Sequence, residues 1–235
     1  MLPVGGDDNN PVRFQYRFEF QDGTQKSFEI ALDAQTLALI PDPGRPSPEW
    51  TRLKYHQCAN CPLNDTTSHC PVAVNLSHLV ETFKDSRSYE GTRVVVQVAE
   101  RKYEKETSLQ EGLYSIIGIY MVTSNCPVLD RLRPMVRFHL PFASSTETIY
   151  RAVSMYLMKQ YFVLRQGGTP DWELRDLDRL YTEIAEVNRG MTDRLRSASS
   201  ADASVNAVII LFSVGELVDH SLANGLREIE RLFDE

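Results

Sequence analysis

Val12-Arg-Phe-Gln-Tyr-Arg-Phe-Glu-Phe-Gln-Asp-Gly-Thr-Gln-Lys-Ser-Phe-Glu-Ile-Ala-Leu32 carries the clearest structural signal in this 235-residue chain. Phe14, Tyr16, Phe18 and Phe20 fall on one face of an extended strand, and Gln15, Arg17 and Glu19 on the other. Asp22-Gly23 supplies a tight turn, after which Phe28, Ile30 and Leu32 alternate again. Alternation on both sides of an Asp-Gly step predicts a β-hairpin with one buried face. Residues 1–11, polar and rich in Gly, Asp and Asn, read as a loose tail. Leu37–Ile40 adds a short strand, and five Pro and Gly residues from Pro41 to Pro48 impose an irregular loop. Trp50–Tyr55 and Gly91–Glu100 read as further strands. Val72–Asp85 has helical spacing, with Val74, Leu76, Leu79, Val80 and Phe83 as its apolar positions. Thr107 and Ser108, each with Gln or Glu three residues on, open a second helix that runs to about Thr123.

Beyond residue 143 only helices are expected. Ser144 with Glu147 caps one through about Arg165, and Gln166-Gly-Gly-Thr-Pro170 stops it. Asp171 caps the next, where Leu174, Leu177, Tyr181, Ile184, Asn188, Met191 and Leu195 repeat at three- and four-residue steps. A polar break at Ser197–Ala203 precedes a last helical stretch, which Asn224-Gly225 kinks or splits. The predicted class is α+β: a small N-terminal antiparallel sheet with two helices and a four-cysteine metal site (12–143), followed by a three-helix C-terminal half (144–235). The 3-4 repeat serves a bundle core, or alternatively a homodimer through the C-terminal helices with Asn188 as the pairing amide.

Composition narrows the class of partner. Net charge is −7 and pI about 5.3, which argues against nucleic acid, because phosphate binding needs a concentrated basic surface. The N-terminus has neither a basic start nor an apolar run, so no signal peptide is expected. The longest apolar stretches, Tyr114–Val122 and Ala207–Val214, are too short to span a membrane. The expected location is cytoplasmic, where thiols stay reduced and metal sites are favoured over disulfides. Asn64-Asp-Thr66 and Asn75-Leu-Ser77 match the glycosylation pattern and are read as chance matches.

Four cysteines are the candidate functional residues. Cys58 and Cys61 form a C-x2-C pair, Cys70 lies in His69-Cys-Pro71, and Cys126 in Asn125-Cys-Pro127. Three of the four precede proline. Asn60-Cys-Pro-Leu-Asn-Asp65 echoes Asn125-Cys-Pro-Val-Leu-Asp130, as two similar metal-binding knuckles would. A two-residue gap lets both sulfurs of a C-x2-C turn reach one metal, and a cysteine before a helix start has its thiolate charge favoured. The expected centre is a structural zinc site of Cys58, Cys61, Cys70 and Cys126. The same residues suit a four-iron, four-sulfide cluster as the alternative. A redox pair at Cys58/Cys61 and a set of four structural thiols are the remaining readings. His56 or His69 could replace Cys126 as a ligand.

Asp130-Arg-Leu-Arg-Pro-Met-Val-Arg-Phe-His139 concentrates Arg131, Arg133, Arg137 and His139 close to Cys126. It is a candidate site for a small anionic ligand or an acidic protein partner, against the alternative of internal pairing with acidic side chains. There is no G-x-S-x-G, no phosphate-cradling glycine loop and no H-E-x-x-H. No catalytic residue can be assigned. The strings His69-Cys-Pro-Val72 and Met135-Val-Arg-Phe-His-Leu-Pro-Phe142 resemble those of an uncharacterised bacterial family of unknown function with C-x2-C-P, H-C-P and N-C-P cysteines. The resemblance covers most of the chain and implies a bacterial intracellular protein, with no activity attached. The expected function is a non-enzymatic binding or regulatory protein with a structural zinc site. The alternative is an iron–sulfur redox enzyme or sensor.

Overall fold

The computed structural model describes residues 10–42, 44 and 47–233. Most of the expected N-terminal tail therefore lies outside the described residues. Strands β1 (Val12–Phe20) and β2 (Gln25–Leu32) form the predicted hairpin, in register from Val12 opposite Leu32 to Glu19 opposite Gln25. Gly23 takes a left-handed backbone (φ 85°) at the turn, where a residue without Cβ is least strained. The sheet is fully antiparallel, in the order β2-β1-β3-β4, with β3 at Gly91–Gln97 and β4 at Lys102–Ser108. Its inner face carries Phe14, Tyr16, Phe18, Phe28, Ile30, Val94 and Val96, all buried.

Helices α1 (Pro71–Phe83) and α2 (Leu109–Val122) pack beneath that face. At Gly112 a Cβ would sit 2.7 Å from Val94 Cγ2 and 2.9 Å from Phe18 Cε1, so the absent side chain lets α2 lie directly on the sheet. A short helical segment follows, with a 3-10 turn at Leu129–Leu132 and α3 at Pro134–Arg137. The C-terminal half is α4 (Ser145–Arg165), α5 (Arg175–Ala198), α6 (Ala203–Ala223) and the single turn α7 (Arg227–Glu230). Ser144 and Glu147 form the expected capping box on α4. Asp171 caps α5 at a distance: its carboxylate accepts the Asp176 amide at 2.8 Å and the Tyr156 hydroxyl at 2.7 Å. Gly225 (φ 68°) separates α6 from α7, as the Asn-Gly step suggests.

Several expectations need correction. Trp50–Tyr55 is not a strand but a 3-10 turn at Glu49–Thr51 followed by one isolated bridge, Arg52 to His69. Leu37–Ile40 is reduced to a single bridge between Leu39 and Leu32. β4 was not anticipated, because Lys102, Glu104, Lys105 and Glu106 are all exposed and show no apolar alternation. It is held by its ladder to β3 and by Arg93, which bonds Glu104 at 2.7 Å. The length limit set on apolar stretches was too strict. α6 has 21 residues and a mean hydropathy of 1.5, enough to cross a membrane by length and composition, because its scattered Ser and Gly residues barely lower the average. Only 28% of that span is buried, and it packs against α2 and α5.

One apolar core runs through both halves. The α5–α6 turn docks on the segment after α1: the Ala201 amide donates to Lys84 O at 2.9 Å, and Asp202 accepts the Ser88 amide at 2.8 Å and its hydroxyl at 2.9 Å. These bonds hold the Asp202 carboxyl below its ordinary pKa, the Ser88 amide most strongly. Replacing Asp202 with Ala leaves a buried Ser88 hydroxyl and its amide unpaired, and is expected to cost roughly 1–3 kcal/mol. Urea denaturation at pH 7 checks this. A midpoint equal to that of the parent chain would show that the tie carries no stability.

Candidate functional site

The loop ahead of α1 is shaped to present sulfur. His56 adopts a left-handed backbone (φ 48°), and the Cys61 amide donates to Cys58 O at 3.1 Å, closing the C-x2-C segment into one turn. Cys70 is set by the Arg52–His69 bridge, by its own amide bonded to Thr51 O at 2.8 Å, and by the start of α1, where its carbonyl accepts the Val74 amide at 3.0 Å. Cys126 follows the left-handed Asn125 (φ 64°) just beyond α2. The amides of Leu129 and Val128 donate to its sulfur.

These three segments bring the four cysteines into one another's electrostatic field. Burial pushes the Cys58 thiol up to about 12, and Cys70, Cys61 and Cys126 add to that shift. Burial also raises Cys126, against the downward pull of the Leu129 and Val128 amides. The thiols are gathered but not closed. Among the described residues, no group of three or more His, Cys, Asp or Glu side chains is arranged to hold a metal ion. The four-cysteine metal site expected from sequence is therefore not supported by the structure. Burial raises the thiol pKa of Cys58 and of Cys126, and a thiol kept neutral is a poor metal ligand. Neither histidine joins them: His69 Nδ1 lies 2.8 Å from Thr51 Oγ1, and the exposed His56 has Nε2 3.1 Å from Ser197 Oγ.

The fourth wall is α5, which the sequence did not connect to the cysteines. Cys58 Sγ lies 3.9 Å from Val187 O, and Asn60 Nδ2 donates to Glu183 O at 2.8 Å. At Gly190 a Cβ would sit 2.8 Å from Cys58 Sγ and 3.2 Å from its Cα, so only glycine admits this approach without displacement. One turn further along, Arg194 is 1% exposed. Its Nη1 donates to Trp50 O (2.6 Å) and Arg52 O (2.7 Å), and its Nη2 to Leu53 O (3.2 Å) and His56 O (3.4 Å). Its Nε is buried without a partner. Burial lowers its pKa, and the groups acting in the other direction are Cys70, Cys58, Cys61 and Tyr55. Nothing in the sequence singles out Arg194 from the neighbouring charges Asp193 and Arg196.

The arginine-rich segment does not converge on one site. Arg131 pairs with Glu183. Arg133 pairs with Asp130 and donates to Asn125 Oδ1 at 3.0 Å and Thr36 O at 3.3 Å. Arg137 is exposed. His139 turns inward, with Nε2 2.7 Å from the Tyr16 hydroxyl and 3.3 Å from Ser115 Oγ. Desolvation, with a smaller contribution from Arg151, pushes its pKa down to about 3, although the residue as a whole is only half-buried. The enclosed ring nitrogen, not the residue average, sets this value.

The chain belongs to a family described as a domain of unknown function (DUF6901), matched over residues 14–234. That span includes the sheet apart from the first two residues of β1, the seven helices of the described residues and all four cysteines. No curated protein and no solved structure matches the chain.

Two outcomes are expected. Gly190→Ala gains roughly 1 kcal/mol of helix propensity, yet the collision with Cys58 is expected to outweigh it, for a net loss of about 1–2 kcal/mol in denaturant unfolding. A stabilised variant would show that α5 does not bear on Cys58. The neutral His139 ring contributes stability that is fully present above the unfolded value of 6.5. That contribution is lost as pH falls toward 3, because the unfolded chain takes the proton first. His139→Asn is expected to flatten the stability–pH curve over this window by at most about 1.4 kcal/mol per pH unit. Parallel curves for the two proteins would contradict the burial of Nε2.

Proposed function

We propose that the protein is a non-enzymatic binding or regulatory protein in which Cys58, Cys61, Cys70 and Cys126 hold one metal centre, with zinc as the metal, in a reducing cytoplasm. The observation that carries this reading is Arg194. A guanidinium buried to 1% exposure, bonded to carbonyls and to no carboxylate among the described residues, is costly unless negative charge lies close by. Cys70, Cys58 and Cys61 are the groups in its field. Four thiolates on a divalent ion leave a double negative charge, which Arg194 and the amides of Val128 and Leu129 would offset. Zinc would supply a crosslink between the 58–70 loop, the end of α2 and, through Arg194 and Gly190, α5.

A second reading, a four-cysteine iron–sulfur centre in a redox enzyme or sensor, draws on spacing. Zinc–sulfur bonds of about 2.3 Å require four sulfurs nearly in contact. A cluster containing several irons spreads its cysteine ligands more widely. The mutual influence of Cys58, Cys61, Cys70 and Cys126 on the Cys58 thiol is as compatible with this second arrangement as with the first.

Metal analysis and an absorption spectrum of anaerobically purified protein separate the readings. About one zinc per chain in a colourless protein supports the first. A brown protein that bleaches with dithionite supports the second. Absence of both metals from protein made in replete cells overturns both. Cys58→Ser and Cys126→Ser are each expected to lower metal content and to cost about 4 kcal/mol of stability, the linkage for a ligand a thousandfold above its dissociation constant. Full metal occupancy in a folded Cys126→Ser variant would remove that residue from the site.

A further inference from the structure

A partly open cavity lies against another face of α5, between α2, α3, α4 and α6. Its volume is about 140 Å³. An apolar cavity of roughly 150 Å³ accommodates benzene, so this one has room for a single small ring or a short branched chain. The walls are mainly apolar, with Ile119, Val136, Ile184 and Leu211 contributed by four different elements. Ser115 and His139 also line it but are bonded to each other and to Tyr16, and further polar groups stand at two places along α5. Near Tyr181 is Arg151 of α4, and seven residues further on is Asn188.

Neither Arg151 nor Asn188 is satisfied by the protein. Arg151 Nη2 donates to Met135 O at 3.0 Å, but its Nε is buried without a partner. The nearby Glu147 carboxylate is taken up by the capping box, accepting the Ser144 amide at 2.8 Å and its hydroxyl at 2.9 Å. No ion pair joins it to Arg151 among the described residues. Asn188 is 2% exposed, and its Oδ1 has no hydrogen-bond partner. Buried polar groups without partners are rare, and each calls for a ligand, a water or a structural reason. A single guanidinium beside a tyrosine hydroxyl suits one carboxylate, and an apolar wall disfavours a multiply charged group. Residues seven apart on a helix share a face and lie about 10 Å apart along its axis. The lone amide therefore meets the far end of a short, rigid molecule, with Ile184 beside its middle.

We propose that this cavity binds a small monocarboxylate with an apolar body and a second polar group at its far end. The carboxylate pairs with Arg151 and the Tyr181 hydroxyl, and the far group bonds to Asn188. The site is independent of any metal at the cysteines, so its test stands apart from that reading.

Calorimetry and thermal shift on the full chain with 4-hydroxybenzoate as probe decide the matter. Binding is expected, weaker by about tenfold for benzoate, which lacks the far hydroxyl. For 4-hydroxybenzyl alcohol, which lacks the charge, the loss is expected to be tenfold or more. Arg151→Met is expected to abolish the preference for the acid over the alcohol. Asn188→Leu is expected to raise the melting temperature of the ligand-free protein, since it removes an unpaired amide, while erasing the preference for 4-hydroxybenzoate over benzoate. Absence of binding up to about 10 mM overturns the proposal. Equal affinity for acid and alcohol also overturns it, as does undiminished selectivity in both variants. Should both variants fail to fold, the three-compound series on the parent protein is sufficient to decide.

Discussion

The Arg194 guanidinium is the constraint around which the rest is arranged. Four carbonyls of the 50–56 segment converge on one side chain from α5. Those carbonyls would otherwise need strand partners or water, since buried backbone acceptors are seldom left unmade. The arginine thus dictates why this stretch is a curled loop, and the curl in turn aims Cys58 and Cys61 at Cys70. The Tyr55 ring lies 5.8 Å from the guanidinium carbon and shields it further. A chain with spare core volume would more cheaply use apolar contacts here. The retained charge is accordingly better explained by what it faces than by what it stabilises.

The two halves share one interior. α6 runs along α2, and the α5–α6 turn is hydrogen bonded to residues 84–88. Glycine sets the distances at the two closest approaches, with Gly112 bringing α2 onto Phe18 and Gly190 bringing α5 onto Cys58. The Tyr16–Ser115–His139 triad links the sheet, α2 and the segment after α3 in the same way, with polar atoms in place of a missing side chain. Its tyrosine is raised in pKa by burial and its histidine lowered, so both remain neutral and the links carry no charge.

The fold was largely legible where pattern reflects burial. The hairpin, α1, β3, α2, α4 and α5 each bury one regular face, so Phe14 to Leu32 and Leu177 to Leu195 announced themselves, whereas α6 buries mainly its first turns. The failures share a cause. β4 takes its conformation from its neighbour β3, and a charged edge strand has no buried face to mark it. The 49–56 segment has apolar Trp50 and Leu53 at a three-residue step, and its shape is fixed by a residue 138 positions or more away. For the site, the cysteines were visible as a set, because sulfur is scarce and its spacing is informative. Proximity in sequence could not separate a convergent arginine site from internal pairing, the other reading of that cluster. Arg131, Arg133 and His139 instead turn to Glu183, Asp130 and Tyr16. Arg194, Gly190 and Asn188 act across long separations, and a single sequence holds no record of those contacts.

Two steps along a helix advance about 3 Å and turn through about 200°. Asn188 and Gly190 therefore look to nearly opposite sides of the same rod: one onto the apolar cavity, the other onto the Cys58 sulfur. A rod of 24 residues packed on both sides has no slack to absorb a sideways step at one of them. α5 is thus a partition wall between the Cys58 loop and the cavity, and moving it away from the sulfur narrows the cavity by the same displacement.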